Sequence, residues 1–318
     1  MKTTEELKKF FNEKLLPDLQ VLEQKRKSLV GKTIVISVVA AIAGFFAVSI
    51  ISSGGHIGPA FVAPLIIVAA IAVFVYYFYY RDFAYSFKTQ IIEKLVKFID
   101  ENLQYQPHDK IPLSIFMLSK IFTTEPNRYG GDDLVTGKIG QTAIKFSEID
   151  AKHESGSGKN RTVVQIFKGL FFVADFNKNF TCRTVVLPDT AEKLFGWLGQ
   201  KLQEMNIFRG QLVKLEDAEF EQHFAVYSND QIQARYILSP SLMERIVRFK
   251  AETGRKIYLS FVGSSVFVAI WFERNLFEPK LFSSMIDFET IREYYDDLAL
   301  AVGIVDDLNL NTRIWSKQ

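Results

Sequence analysis

The chain has 318 residues, with 38 Lys and Arg against 36 Asp and Glu, and 29 Phe. A formal net charge of +2 leaves no electrostatic footprint for a nucleic acid. The single cysteine, Cys182, excludes an internal disulfide framework and agrees with a reducing compartment.

Residues 3–29 predict a charged helix, because Phe11, Leu15, Leu19, Leu22 and Leu29 recur near helical spacing among Glu and Lys. Thr3 or Thr4 starts it, and Pro17 predicts a break near Leu16. The stripe suits either a coiled-coil or partner helix, or packing on a second helix of the same chain.

Two uncharged runs follow, Thr33–Ser53 and Ala60–Tyr80, joined by Gly54–Pro59. Each has about the 20 residues that a helix needs to cross a hydrocarbon core, so the pair predicts a transmembrane hairpin. Lys25, Arg26, Lys27 and Lys32 precede it, and Arg81, Lys88, Lys94 and Lys97 follow it, which puts both termini in the cytoplasm. Neither run holds an ionisable side chain, so the hairpin reads as an anchor rather than an ion or proton path. From Asp82 to about Leu103 an amphipathic helix is predicted, with Phe83, Phe87, Ile91, Leu95, Phe98 and Ile99 on one face. It is expected to pack on the 3–29 helix as a stalk.

A short apolar segment at 113–122 and a turn-rich loop at 124–131 lead into strand-like sequence. Leu134–Gly140, Thr142–His153, Val163–Phe176 and Thr181–Leu187 predict strands, with turns at 154–160 and at Asp175–Asn179. A helix is predicted from Asp189 to about Met205. Antiparallel strands closed by one helix match the pattern of a pleckstrin- or GRAM-like half barrel. Farther on, Phe220–Tyr227 predicts a strand, and Ser239-Pro240 opens a helix that ends before Gly254. Lys256–Val262 and Val266–Phe272 predict a hairpin about Gly263-Ser264-Ser265, and Asp287 to about Asn309 a final helix. The predicted class is α+β: an N-terminal helix (1–32), the hairpin (33–80), a stalk (81–106) and a mixed antiparallel-sheet cytoplasmic region (110–318). That last region subdivides at about 132–210 and 215–318, as a diverged repeat or one continuous sheet.

Chemistry is harder to find. His56, His108, His153 and His223 show no ligand spacing. Asp175–Asn179 resembles the start of a calcium loop, but Phe180 stands where Gly is needed and Val186 where Glu is needed. No phosphate loop and no G-x-S-x-G elbow occurs. The pairs Asp132-Asp133, Asp296-Asp297 and Asp306-Asp307 read as solvated faces and caps, since adjacent residues on a helix do not face each other. No catalytic, cofactor or metal residue is assigned, and the chain reads as not an enzyme. Lys159, Arg161 and Lys168 are the candidate contacts to anionic lipid head groups.

Two stretches carry a resemblance to a known family. One is Phe167–Lys178, FKGLFFVADFNK; the other is Glu219–Asp230, EFEQHFAVYSND, continuing through Ala234–Pro240 to Met243-Glu244. The chain resembles a bacterial family of two-span membrane proteins of unknown function, domain of unknown function 3137. The resemblance implies a bacterial inner-membrane location and lends no catalytic residue. Within its second stretch, Tyr227, Asp230 and Arg235 form a candidate polar site, with Arg235 expected to pair with Glu219 or Glu244.

The expected function is a membrane-tethered interaction or scaffold module, with a bilayer contact through the hairpin and a protein partner or self-association. The alternative is an anionic-lipid-binding domain, and an enzyme comes third. The first expectation requires an exposed apolar patch somewhere on 132–318.

Overall fold

The computed structural model describes residues 2–52, 73–74, 76–189 and 210–311. They divide into two compact units, one of residues 2–95 with 277–294, the other of 96–276 with 295 onward.

In the first unit, α1 (Thr4–Phe10) begins on a capping box: Glu6 N–H donates to Thr3 Oγ1 at 3.2 Å, and Thr3 N–H donates to Glu6 Oε2 at 2.7 Å. A π-helical turn at Phe11–Leu15 then leads into α2 (Leu16–Ser52). The wide turn sits just before Pro17, whose ring leaves no room for the carbonyl of an ordinary α turn. The predicted break near Leu16 is thus a π turn within a continuing helix. The stripe Leu7, Phe11, Leu15, Leu19, Leu22 and Leu29 is buried. So are Phe83, Phe87, Ile91 and Leu95 of the second helix, which comprises α3 (76–87), a π turn at Lys88–Ile92 and α4 (Glu93–Ile99). Lys94 ties the two together through Asp18 and the Lys14 carbonyl.

The predicted transmembrane hairpin of spans 33–53 and 60–80 is overturned: among the described residues no helix is long and apolar enough to cross a membrane. Residues 33–52 do not start a separate element. They continue a 37-residue helix whose first half carries Asp18, Glu23, Lys25, Arg26, Lys27 and Lys32. Most of the second run, residues 60–72 and 75, lies outside the described residues. The inner-membrane placement with cytoplasmic termini rested on those spans and falls with them.

The second unit is built on one seven-stranded antiparallel sheet in the order β1-β2-β3-β4-β6-β5, with β7 on β4. Its strands are β1 (Gln104–Gln106), β2 (Arg128–Ile139), β3 (Thr142–Ser155), β4 (Thr162–Pro188), β5 (Gln211–Val213), β6 (Phe224–Ser228) and β7 (Ile257–Trp271). β4, 27 residues long, branches the sheet: its first half pairs with β3, its second half with β6, and both halves with β7. This is not the strand-by-strand meander of a pleckstrin-type half barrel. The helix predicted for Asp189–Met205 lies, after its first residue, outside the described residues.

Two predicted chain reversals prove to be one feature. Asp175 pairs with Ser265 and Phe180 with Gly263, so residues 176–179 of β4 bulge opposite Ser264, and neither chain turns back. Phe176 and Phe180 meet Phe261 edge to face, with centroids 5.3 and 6.2 Å away, and cover the irregularity with rings. The turn-forming residues are spent on twisting a long ribbon rather than ending a strand.

One sheet face packs Phe167, Phe171, Val173, Val185, Tyr227 and Phe267 against Ile111, Ile121 and Phe116 of α5 (Leu113–Leu118). Alternation sends Phe146, Leu170 and Phe172 to the other face, where they are also buried. The last helix is α9 (Phe288–Asp307). In this unit Asp297 holds Arg274 at 2.6 Å, and Asn311 just beyond the helix accepts from Thr142 of β3 at 2.9 Å.

Candidate interaction surface

The segment after β5 is ordered by short polar side chains. Asp217 accepts from Phe220 N–H and caps α6 (Ala218–His223), which leads into β6. At the end of β6, Ser228 Oγ donates to the Arg183 carbonyl at 2.8 Å and accepts from Asp230 N–H at 3.1 Å. Asp230 Oδ1 then accepts from Ile232 and Gln233 N–H, both at 3.0 Å, and starts α7 (Gln231–Ile237). α8 (Pro240–Thr253) follows, capped by Ser239 and ended by Gly254.

α7 is stapled on both sides. Gln233 Oε1 accepts from Cys182 N–H of β4 at 2.9 Å, and the Arg235 guanidinium donates to the Lys214 carbonyl beyond β5 at 3.1 and 3.2 Å. Ala234 and Ile237 face inward and are buried. This leaves Ile232 and Tyr236, one helical turn apart, 82% and 47% exposed, and Leu212 of β5 is 42% exposed. β5 ends the sheet, and among the described residues it pairs only with β6. Exposed apolar side chains thus occur both on α7 and on the strand that ends the sheet.

The residues singled out from sequence are neighbours with separate tasks. Tyr227 lies in the core, Asp230 is a helix cap, and Arg235 pins α7 to the Lys214 carbonyl rather than meeting Glu219 or Glu244. In the basic loop, Arg161 and Arg128 both pair with Glu154, and Lys168 donates to the Glu273 carbonyl at 3.2 Å. Nearby, Lys152 pairs with Asp150 at 2.6 Å. Burial would raise the Asp150 pKa, but hydrogen bonds from Lys152 and Gln165 outweigh it and hold the carboxyl below its usual value. The Lys159 side chain lies outside the described residues. Leu212, Ile232 and Tyr236 were not singled out from sequence. The available signal was a seven-residue helix with apolar residues on opposite faces, since only one face of so short a helix can be buried.

One set of side chains has the donor chemistry for a hard cation. Carboxylate oxygens of Asp132, Asp133 and Glu148 lie within 4.8 Å of one another, and Asp133 and Glu148 are buried. Asp132 pairs with Glu148 across β2 and β3, and the register breaks just after it, at Asp133 with φ +61°. Tyr105 Oη donates to Asp133, and Leu276 N–H donates to Glu148 Oε2 at 2.8 Å. The sequence reading had placed the Asp132-Asp133 pair at the surface. The bulge turns Asp133 inward instead.

Of the family-like stretches, the second supplies α6, β6, α7 and the start of α8, whereas the first lies in the half of β4 that pairs with β3 and β7. Residues 165–310 match a family model described as a protein of unknown function (DUF3137). No curated protein matches the chain. A solved structure that resembles it is the mycobacterial trehalose monomycolate transport factor A, TtfA, at 11% identity over 65% of this chain and 92% of that one, with a TM-score of 0.30. A superposition that loose fixes neither fold nor function.

Proposed function

We propose that the chain is a protein-interaction module whose partner docks at the open edge of β5 beside α7. The observation that carries this is the exposure of Ile232 and Tyr236 on α7 and of Leu212 on β5, a strand with a free side among the described residues. An extended segment of a partner protein would add a strand to β5, with its alternate side chains resting on the trio. The rim favours protein over an anionic surface. Gln211 and Gln231 are uncharged and bond to each other at 3.2 Å, and Arg235 is already committed to a carbonyl.

The test is photo-crosslinking of the full chain in its own cells, with the reactive residue at position 232 or, as a control, at exposed Leu118. A discrete adduct is expected from 232 alone, joined through an extended segment of the partner and lost in both Leu212→Glu and Tyr236→Glu. The same adducts from both positions, or an adduct indifferent to both substitutions, would overturn the proposal.

A further inference from the structure

We propose that the cleft between α2 and α3, in the first unit, binds an anionic amphiphile with a single alkyl chain. The cleft has two chambers. One, of about 450 Å³, is walled by Leu29, Val35, Ile36, Tyr76 and Tyr79 and is almost wholly apolar. The other, of about 380 Å³, adds Lys25, Gln24 and Asp82. Ser28, Leu29, Lys32 and Tyr79 line both chambers, so the apolar and charged halves adjoin, each of a size that takes small ligands. Two ammonium groups face one carboxylate there, and among the described residues neither Lys25 nor Lys32 has an ion-pair partner. Lys32 instead lies over the Tyr79 ring, 4.3 Å from its centroid, at the junction of the chambers. A head group with negative charge fits that junction, and an alkyl tail fits the chamber beyond it.

Gly31 sharpens the assignment. It lines the apolar chamber, and a Cβ built on it meets nothing within 4 Å. Gly31 is exposed, so the first atom of a larger side chain at the chamber wall displaces no protein, and replacing a mid-helix glycine favours the helix. Gly31→Leu therefore separates loss of binding from loss of folding. This inference does not depend on the β5 edge, which belongs to the other unit.

The experiment titrates the purified full chain with laurate, dodecyl phosphate and the neutral dodecanol, each below its aggregation limit, by calorimetry. Saturable one-to-one binding of the anions is expected, at least tenfold tighter than dodecanol and tightening roughly fourfold per added methylene. Gly31→Leu should abolish it while keeping or raising the thermal midpoint. Lys25→Ala with Lys32→Ala should erase the preference for anions but keep the dependence on chain length. Tighter binding of laurate marks a carboxylate ligand, tighter binding of dodecyl phosphate a phosphate ligand, and equal binding the chemistry common to both. Non-saturating uptake, equal binding of dodecanol, or a Gly31→Leu protein that binds like wild type would refute the site.

Discussion

Glu23→Gln tests how the first unit is held together. Glu23 is 4% exposed, yet it carries a charge because three donors converge on it. Arg26 grips it with two hydrogen bonds of 2.7 and 2.8 Å, and Met285 N–H adds a third at 3.0 Å. Arg26 in turn donates to the Leu281 carbonyl at 2.6 Å, so one carboxylate fastens segment 281–285 to α2. The Arg26 hydrogen bonds, opposed by burial and helped by Met285 N–H, pull the Glu23 pKa from 4.5 to about 2. At about 1.4 kcal/mol per unit this corresponds to roughly 3 kcal/mol of local stability. Because the folded-state pKa is depressed, the contribution is full above pH 4.5 and is lost as pH falls from there through about 2. Hydrogen exchange at the Met285 amide reads this contribution locally, which matters in a chain with two units. Glu23→Gln should speed that exchange on the order of a hundredfold at pH 6, after correction for the intrinsic rate. The gap from wild type should close as pH falls through the same window. A difference independent of pH, or a change below about threefold at pH 6, would show that the Glu23 charge does not hold the segment.

Three further outcomes are expected. Gly131→Ala should cost at least about 2 kcal/mol in denaturant unfolding, because φ is +145° and the new Cβ would stand 2.2 Å from the Glu148 carbonyl oxygen; a cost under about 0.5 kcal/mol would contradict the β2–β3 geometry. Asp230→Ala should lose about 1 kcal/mol and raise exchange at the Ile232 and Gln233 amides, which the Asp230 carboxylate accepts; unchanged exchange at both amides would show that the cap is not formed. Burial raises the Asp297 pKa against the opposing pull of Arg274, so this group favours folding most at low pH and loses that contribution as pH rises from 3.8 through the folded value. Asp297→Asn should therefore remove this opposing slope and make stability climb more steeply with pH on the acid limb, and an unaltered limb would argue against the shift.

Much of this was legible along the chain. The stripe from Phe11 to Leu29, the Thr3 cap, the disturbance at Pro17 and the β character of 132–188 all follow from interactions between residues a few positions apart. Spacing and cap chemistry act within one turn or one strand, so they show in sequence whatever the rest of the molecule does. Partnership is different. Asp175–Asn179 and Gly263–Ser265 each suit a reversal, and only their meeting across β4 and β7 makes them opposed bulges in an unbroken ribbon. Likewise, the Asp132-Asp133 pair was read as solvated, and the register break beside Glu148 buries Asp133. The uncharged run at 33–53 predicted a separate span from its own composition, whereas in the structure residues 33–52 extend a helix begun in charged sequence at Leu16. Ile232 and Tyr236 are apolar on paper like any core residue. They face solvent because Ala234 and Ile237 take the buried side of α7, which Gln233 holds to β4 and Arg235 to the Lys214 carbonyl. Local sequence determined which segments coil and which extend. Long-range pairing decided which of their faces were left over, since a side chain's exposure depends on neighbours that its own stretch of chain does not contain.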